Sequence, residues 1–438
     1  MNLLEFLTLT TVTVFVAFLL RKKLYSLFFV LLLVTEFYYI EIGGGIARPY
    51  HFAAVIVVCV LAKHIRRLLN SPIFLILLVF VGVNLCAIML SDAPVRALTS
   101  FLSFCANIAV AMATALILLS GTVKLVSLKQ IILTVTLLSI LWGLVQIITF
   151  HFTGIVLALS PEQVIQVQTG FGPGFRTEAN TFGKYMVLPF LLFLPEYIEN
   201  RRNKNIKWIY LFFLIGILMN FTRTSIYGMG IAFVFIAFWY VRRGHLFLFT
   251  RKSVKVAGSV AIGVSLMVVG VFNVSEYAQY KIGHLFNQQE ILEGGSSKHR
   301  LLMMRFVIED ALTNPKKMLI GNGWGQTHFF YGRQLVQAGG GDIVNILGFS
   351  GLLGVFTYLL CMFKSIIVSM NITRSSHDFD KVRIAKGVVF ALVGIFCTAQ
   401  MAGYLITPEF WLLIGLCIYL SVSERRLHGS ANTLRLRW

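Results

Sequence analysis

Residues 296–333 read SSKHRLLMMRFVIEDALTNPKKMLIGNGWGQTHFFYGR, the centre of a polar stretch from Asn273 to Gly341 that no bilayer could accommodate. On either side of it the chain runs as apolar segment, short turn, apolar segment. Of the 438 residues, 57% are hydrophobic and only 13% are charged, with a mean hydropathy of +0.81. Soluble domains do not carry that balance, whereas repeated apolar runs of about 20 residues are the mark of membrane helices. A transmembrane barrel is excluded, because its strands alternate apolar and polar residues. The sequence therefore predicts an all-α, polytopic integral membrane bundle of about 12–14 transmembrane helices. It is expected to be a single membrane domain over 1–438, with one large periplasmic loop over 274–343 and a second over 151–180.

Spans are expected near 3–20, 25–42, 46–62, 72–90, 101–120, 131–150, 180–197, 208–222, 224–241, 256–273, 344–363, 387–405 and 409–422. Alternate connections between them hold 26 of the 38 Lys and Arg residues, including Arg66, Arg67, Lys129, Arg201, Arg202, Arg383 and Lys386. The formal net charge of +20 is thus a topology signal, and nucleic-acid binding is set aside. Short basic loops stay cytoplasmic. This predicts a bacterial inner-membrane protein with a periplasmic N-terminus and a cytoplasmic C-terminus. Glu5 before the first span and Arg21, Lys22 and Lys23 after it fit a reversed signal-anchor rather than a cleaved signal. Cys59, Cys86, Cys105, Cys361, Cys397 and Cys417 all fall in spans without CxxC spacing, and read as small buried apolar residues.

On the side opposite the basic connections, charges are few. IEIGGGIARPY (40–50), with Glu41 and Arg48, reads as a tight re-entry turn, and SDAPVR (91–96) as a short turn pairing Asp92 with Arg96. FGPGFRTEANTFGKY (171–185) sets Gly172, Pro173 and Gly174 ahead of Arg176, Glu178 and Asn180 at the mouth of a span. Irregular backbone at membrane depth survives only where protein or a water-filled cavity surrounds it. Arg176 there is either a snorkelling anchor or an anion ligand, with Glu178 at hand to neutralise it. In MNFTRTSIYGMG (219–230) Arg223 stands between two apolar runs, and must face a polar cavity or pair, Glu178 being one partner.

Within the long excursion, Leu301, Met304, Ile308 and Leu312 recur at helical spacing. Arg300 and Arg305 are expected to flank the start of that helix and Asn314-Pro315 to end it, with IGNGWGQ (320–326) as a Gly-rich turn. Those glycines lack the GK[ST] of a phosphate loop. Lys316 and Lys317 read as solvated surface, and no His/Cys/carboxylate spacing suggests zinc.

Three of these segments together resemble the O-antigen polymerase and O-antigen ligase superfamily. They are FRTEANTFGKYMVLPFLLFL (175–194), FTRTSIYGMG (221–230), and Arg300 placed fifteen residues before the Pro315 of NPKKMLIGNGWG. The resemblance covers 170–355 and implies a GT-C-like membrane fold, with the family's arginines at Arg176, Arg223 and Arg300. It implies polymerisation of undecaprenyl-diphosphate-linked oligosaccharide repeat units into a surface polysaccharide, O-antigen or exopolysaccharide. Membrane lipid, a chain-length regulator and a flippase are the partners it implies. The ligases carry a His about eleven residues before a GLLG; here GLLG is 351–354, and that position falls near Gly340 in AGGGDIVNILGFS. The absent His weakens the ligase alternative, in which the polymer passes to a lipid A-core acceptor.

The chemistry fits these residue types. A departing lipid diphosphate develops negative charge, and arginine grips phosphate oxygens in a fork without needing a metal. Arg176, Arg223, Arg300 and Arg305 are the expected diphosphate ligands, with no metal and no cofactor. A base must take the acceptor hydroxyl proton, and Asp342, Glu178 and His328 are the candidates in that order. The rival from another class is a lipid-linked sugar flippase; a third is a scaffold subunit of an envelope assembly machine.

Overall fold

The computed structural model describes residues 24–37, 39–42, 45–199, 204–220, 222–242, 295–326, 328–331, 334–337 and 340–435. The spans expected near 3–20 and 256–273 lie outside these residues. In order, the helices are α1 (Leu24–Val34), α2 (Pro49–Val60), α3 (Pro72–Met89), α4 (Pro94–Ser120), α5 (Leu125–Thr153), α6 (Pro161–Gln168) and α7 (Ala179–Glu199). They continue with α8 (Lys204–Asn220), α9 (Arg223–Arg242), α10 (Gly295–Thr313), α11 (Pro315–Ile320), α12 (Asp342–Ser375), α13 (Phe379–Ala402) and α14 (Pro408–Arg435). Two antiparallel hairpins complete the described residues: β1 (Ile40–Ile42) with β2 (Gly45–Ala47), and β3 (His328–Tyr331) with β4 (Gln334–Gln337).

Among the described residues, α3, α4, α5, α12 and α13 are long and apolar enough to cross a membrane, and four shorter helices are also apolar. The protein is an all-α polytopic membrane bundle. Among the described residues, α2, α3, α7, α8 and α9 lie within four residues of the expected spans at both ends, while α4, α5, α12, α13 and α14 extend beyond theirs. α4 starts at Pro94, well ahead of position 101, because proline is favoured in the first turn, where its missing N–H costs nothing. The span expected over 25–42 stops at Val34, followed by a tight turn over Thr35–Phe37 and the first hairpin, with Ile40 opposite Ala47. The re-entry turn read at 40–50 is this hairpin. Large apolar residues such as Leu102, Leu138, Ile148 and Phe356 face outward, as a lipid-contacting surface requires. α13 packs on α7, α14 on α4, and α12 on α13 and α3.

The connections are sorted to two ends. At one, Lys129 pairs with Glu196, and Arg383 and Lys386 both meet Glu199. Arg67 caps α4 there by donating to the Leu119 carbonyl. At the other end gather the loop before α7, the start of α9, the start of α12 and the turn before α14, tied by the contacts described below.

The long excursion is docked. α10 begins at Gly295, so Arg300 and Arg305 lie inside the helix rather than flanking its start, a correction to the periodicity reading. Its inner face buries Val307 and Ala311, and Asp310 accepts from Lys317 Nζ (2.8 Å) and Asn322 Nδ2 (2.7 Å). The Gly-rich turn sits against a break in α12, where Gly351 adopts φ 62°. Around that break the carbonyls of Gly348 and Phe349 accept from the N–H groups of Asn322 (2.9 Å) and Gly323 (3.0 Å). Trp324 then plugs the bundle, with ring centroids 4.1 Å from Phe104 and 4.9 Å from Phe349.

Gly321, at φ 83° and ψ −168°, occupies a region open only to glycine, and a Cβ there would lie 2.5 Å from the Phe349 carbonyl carbon. Gly321→Ala should therefore cost about 2 kcal/mol or more, lowering the thermal midpoint followed by tryptophan fluorescence in detergent. Gly82→Ala, with nothing within 4 Å of the new methyl, should leave the midpoint unchanged or raised.

Candidate functional site

The loop from Phe171 to Glu178 is neither helix nor strand, yet Phe171, Gly172, Pro173, Gly174 and Arg176 are all buried. Its polar backbone is met by side chains from two helices. On α5, Ser139 and Gln146 lie two turns apart on one face, with Gly143 between them. Ser139 Oγ accepts from Phe175 N (3.0 Å), and Gln146 Oε1 from Gly174 N (3.1 Å). Gly143 leaves room for the crossing chain: a Cβ there would lie 2.7 Å from the Gly172 carbonyl oxygen. From α6, Gln163 Nε2 donates to the carbonyls of Gly174 (3.2 Å) and Arg176 (2.5 Å). Its Oε1 accepts from Gln146 Nε2 (3.0 Å) and Leu159 N (2.8 Å). The end of α8 and the residue before α9 are fastened to the loop and to the start of α7, by Asn220 Nδ2 on the Gly172 carbonyl and Thr222 Oγ1 on the Ala179 carbonyl, both at 3.2 Å.

This scaffold delivers Arg176 into the interior, where it is 1% exposed. The guanidinium lies over the Tyr185 ring, 4.1 Å from the centroid. Its Nη2 is 2.6 Å from Glu409 Oε1 and its Nη1 3.7 Å from Glu36 Oε2. The Glu409 contact is close but off-axis for a hydrogen bond, and Arg176 Nε has no hydrogen-bond partner among the described residues. The attraction is therefore chiefly Coulombic. Burial works against the charge, but Glu409 and Glu36 outweigh it and hold the guanidinium above the usual arginine range. Glu36 also faces Arg48 Nη2 at 3.6 Å, while Arg48 Nε donates to the Glu36 carbonyl (3.2 Å). Two arginines and two glutamates thus form a buried cluster of zero formal net charge, joining the turn after α1, the cap of α2, the loop and α14.

Asp342, fully buried at the start of α12, makes a second tie. Its Oδ1 accepts from the N–H groups of Tyr404 (2.7 Å) and Leu405 (3.3 Å), and its Oδ2 from the Tyr358 hydroxyl (3.3 Å). Tyr404 in turn donates to the Lys184 carbonyl (2.8 Å), and Lys184 Nζ to the Gly403 carbonyl (3.2 Å). The segment 403–409 therefore carries both the partners of Asp342 and, at Glu409, the partner of Arg176.

Arg176 and Asp342 share one end of the bundle, but the partners of Arg176 are not the one expected from the sequence. Glu178 is exposed and opens α7, its carbonyl accepting from Phe182 N (3.0 Å), so it does not neutralise Arg176; Glu36 and Glu409 do. Arg305 is exposed and pairs with Glu309 at 2.6 Å, one turn along α10, away from the site's buried face. Arg223 is the first residue of α9, Arg300 lies in the second turn of α10, and His328 opens β3; the side chains of these three lie outside the described residues. Gln146, Gln163, Glu36, Glu409 and Lys184 were missed. The signal for the two glutamates was present: each falls within an expected span, where an ionisable residue needs a partner. Among the described residues, no three His, Cys, Asp or Glu side chains come together to hold a metal ion. No family model matches the chain, and no curated protein matches it.

Removing one member of a buried charge cluster strands the others. Arg176→Ala should cost about 3–5 kcal/mol and cut the yield of folded protein on size-exclusion chromatography. Combining Arg176→Met with Glu409→Gln should recover more than ~1 kcal/mol over additivity in thermal unfolding. Strict additivity would show that the two charges do not stabilise one another.

Proposed function

We propose that the chain is a membrane glycosyltransferase that polymerises undecaprenyl-diphosphate-linked oligosaccharide units into a surface polysaccharide at the outer face of the bacterial inner membrane. One observation carries this reading. The loop holding Arg176, the start of α9 at Arg223 and the start of α12 at Asp342 come together at the end of the bundle opposite the basic residues Lys129, Arg383 and Lys386. The positive-inside bias gives that end to the periplasm, where lipid-linked polysaccharide is extended.

Roles follow from the chemistry of the groups. Arg223 and Arg300 are proposed to grip the diphosphate in bidentate fashion and to stabilise the charge that develops as it leaves. Arg300 is within one turn of Met304, whose side chain meets Gly340 two residues before Asp342, so α10 brings it toward the same end. Arg176 already has two carboxylates, and meets a phosphate only by exchanging one of them. Asp342, whose two oxygens accept three hydrogen bonds, holds the 403–409 segment in place. Glu178, exposed beside Arg176, is the carboxylate best open to an acceptor hydroxyl, and His328 the alternative base. A chain-length regulator and a flippase are the proposed partner proteins.

The test uses purified protein in vesicles with lipid-linked oligosaccharide. Release of the lipid diphosphate together with longer saccharide chains is expected. Translocation without release would replace this proposal with a transporter. Arg223→Ala and Arg300→Ala should each slow elongation by about 100-fold or more at normal protein level, with Lys a poor substitute. An unchanged ladder of chain lengths in both variants would remove the arginines from the mechanism.

A further inference from the structure

At the basic end of the bundle, a cleft of about 270 Å³ opens between α5, α7, α8 and α13. It lies away from the Arg176 site. On α5, Lys129 at the cleft and Ser139 beneath the loop are ten residues apart, about 15 Å of helix. The cleft's walls are apolar, formed by Leu133, Phe193 and Ile209, and its volume is near the lower bound of ligand pockets, about 300 Å³. Its rim carries charge of both signs. Lys129 and Glu196, which line it, pair with each other and are only 22% and 23% exposed, with Lys129 Nζ 5.5 Å from the Phe193 ring centroid. Asp380 stands at the lip, and Arg383 lines a small adjoining hollow that shares Lys129 and Glu196.

Arg383 is loosely held. Its contacts to Glu199 (3.8 Å) and Asp380 (3.7 Å) both exceed hydrogen-bond length, and its Nε has no partner among the described residues. Clefts between membrane helices with basic residues on this side are sites for lipid headgroups. Among the described residues that line the cleft and the hollow, the cations Lys129 and Arg383 are balanced by the anions Glu196 and Asp380, so the lining itself offers a purely anionic headgroup no net attraction. A phosphate joined to a primary ammonium satisfies both signs. The phosphate meets Arg383 and Lys129, the ammonium's three donors meet Glu196 and Asp380, and an acyl chain lies along the apolar walls. We propose that this cleft binds one phospholipid with a primary-ammonium headgroup, of the phosphatidylethanolamine type.

The test is native mass spectrometry of the full-length protein in mild detergent, offered phosphatidylethanolamine, phosphatidylcholine and phosphatidylglycerol at equal mole fraction. One retained phosphatidylethanolamine per chain is expected, about tenfold above either competitor. Ile209→Trp, which fills the cleft, should reduce that adduct about tenfold, and Glu196→Gln should erase the preference over phosphatidylcholine. If Ile209→Trp does not fold, the wild-type thermal midpoint decides: only the ethanolamine lipid should raise it. Equal retention of the three lipids would mean a non-specific annulus, and preference for phosphatidylglycerol an anionic site. Either result, or an undiminished adduct in folded Ile209→Trp, would overturn the proposal.

Discussion

Buried backbone that is neither helix nor strand must find hydrogen-bond partners inside the protein, and the loop from Phe171 to Glu178 finds them in two glutamines. Each primary amide offers an acceptor and two donors, so Gln163 and Gln146 can bridge carbonyls and N–H groups that point in different directions. Together they satisfy Gly174, Arg176, Leu157 and Leu159, and they bond to each other. Without this clamp, several orphaned amide groups would each cost about 1–3 kcal/mol. The site's shape therefore rests on neutral amides before any charge is considered.

The charges are the second layer, and they depend on the first. Arg176 can be buried because its backbone is fixed where Glu36 and Glu409 converge from the turn after α1 and from α14. Such a cluster is weak evidence of net stability, since its desolvation cost offsets much of the attraction. Its effect is on arrangement. A carboxylate without its arginine, or the reverse, is strongly unfavourable, so the segments that carry them can assemble in few other ways. Asp342 adds the same constraint through hydrogen bonds, fixing the start of α12 to the turn before α14.

Among the described residues, the bundle was legible because most spans announce themselves by apolar length, and proline or glycine marks several of their ends. The sorting of connections was legible from Lys and Arg alone, and Lys129, Arg383 and Lys386 do share one end. The site was less legible. Arg176 and Asp342 stand out because charge is scarce, but their partners lie 140, 233 and 62 positions away in sequence at Glu36, Glu409 and Tyr404. Nothing local in TEF or TPEF indicates which arginine each glutamate meets. Glu178 misled for the opposite reason: nearness in sequence suggested a pair, while the start of α7 turns it outward. The Gly-rich turn was recognised, but not its role, because the α12 break that receives it depends on Gly351, thirty residues on.

Rigidity bears on the choice between catalysis and transport. A carrier that alternates its access must separate a set of helices at the end where substrate is held, then close it again. Here that end is fastened by ionic contacts of the loop before α7 with α14 and with the turn after α1, which in turn pairs with Arg48 at the cap of α2, and by Asp342 from α12 to the turn before α14. Opening it would strand buried charges, each broken pair costing about 3–5 kcal/mol. Transfer of a saccharide from a lipid diphosphate asks for the opposite property. Its gain comes from donors already held where charge will develop, with no reorganisation left to the moment of reaction. A formally neutral, interlocked cluster at the loop provides that fixed base, and the exposed Glu178 stands beside it. The interlock at Arg176 is therefore better suited to positioning a reaction than to opening a path.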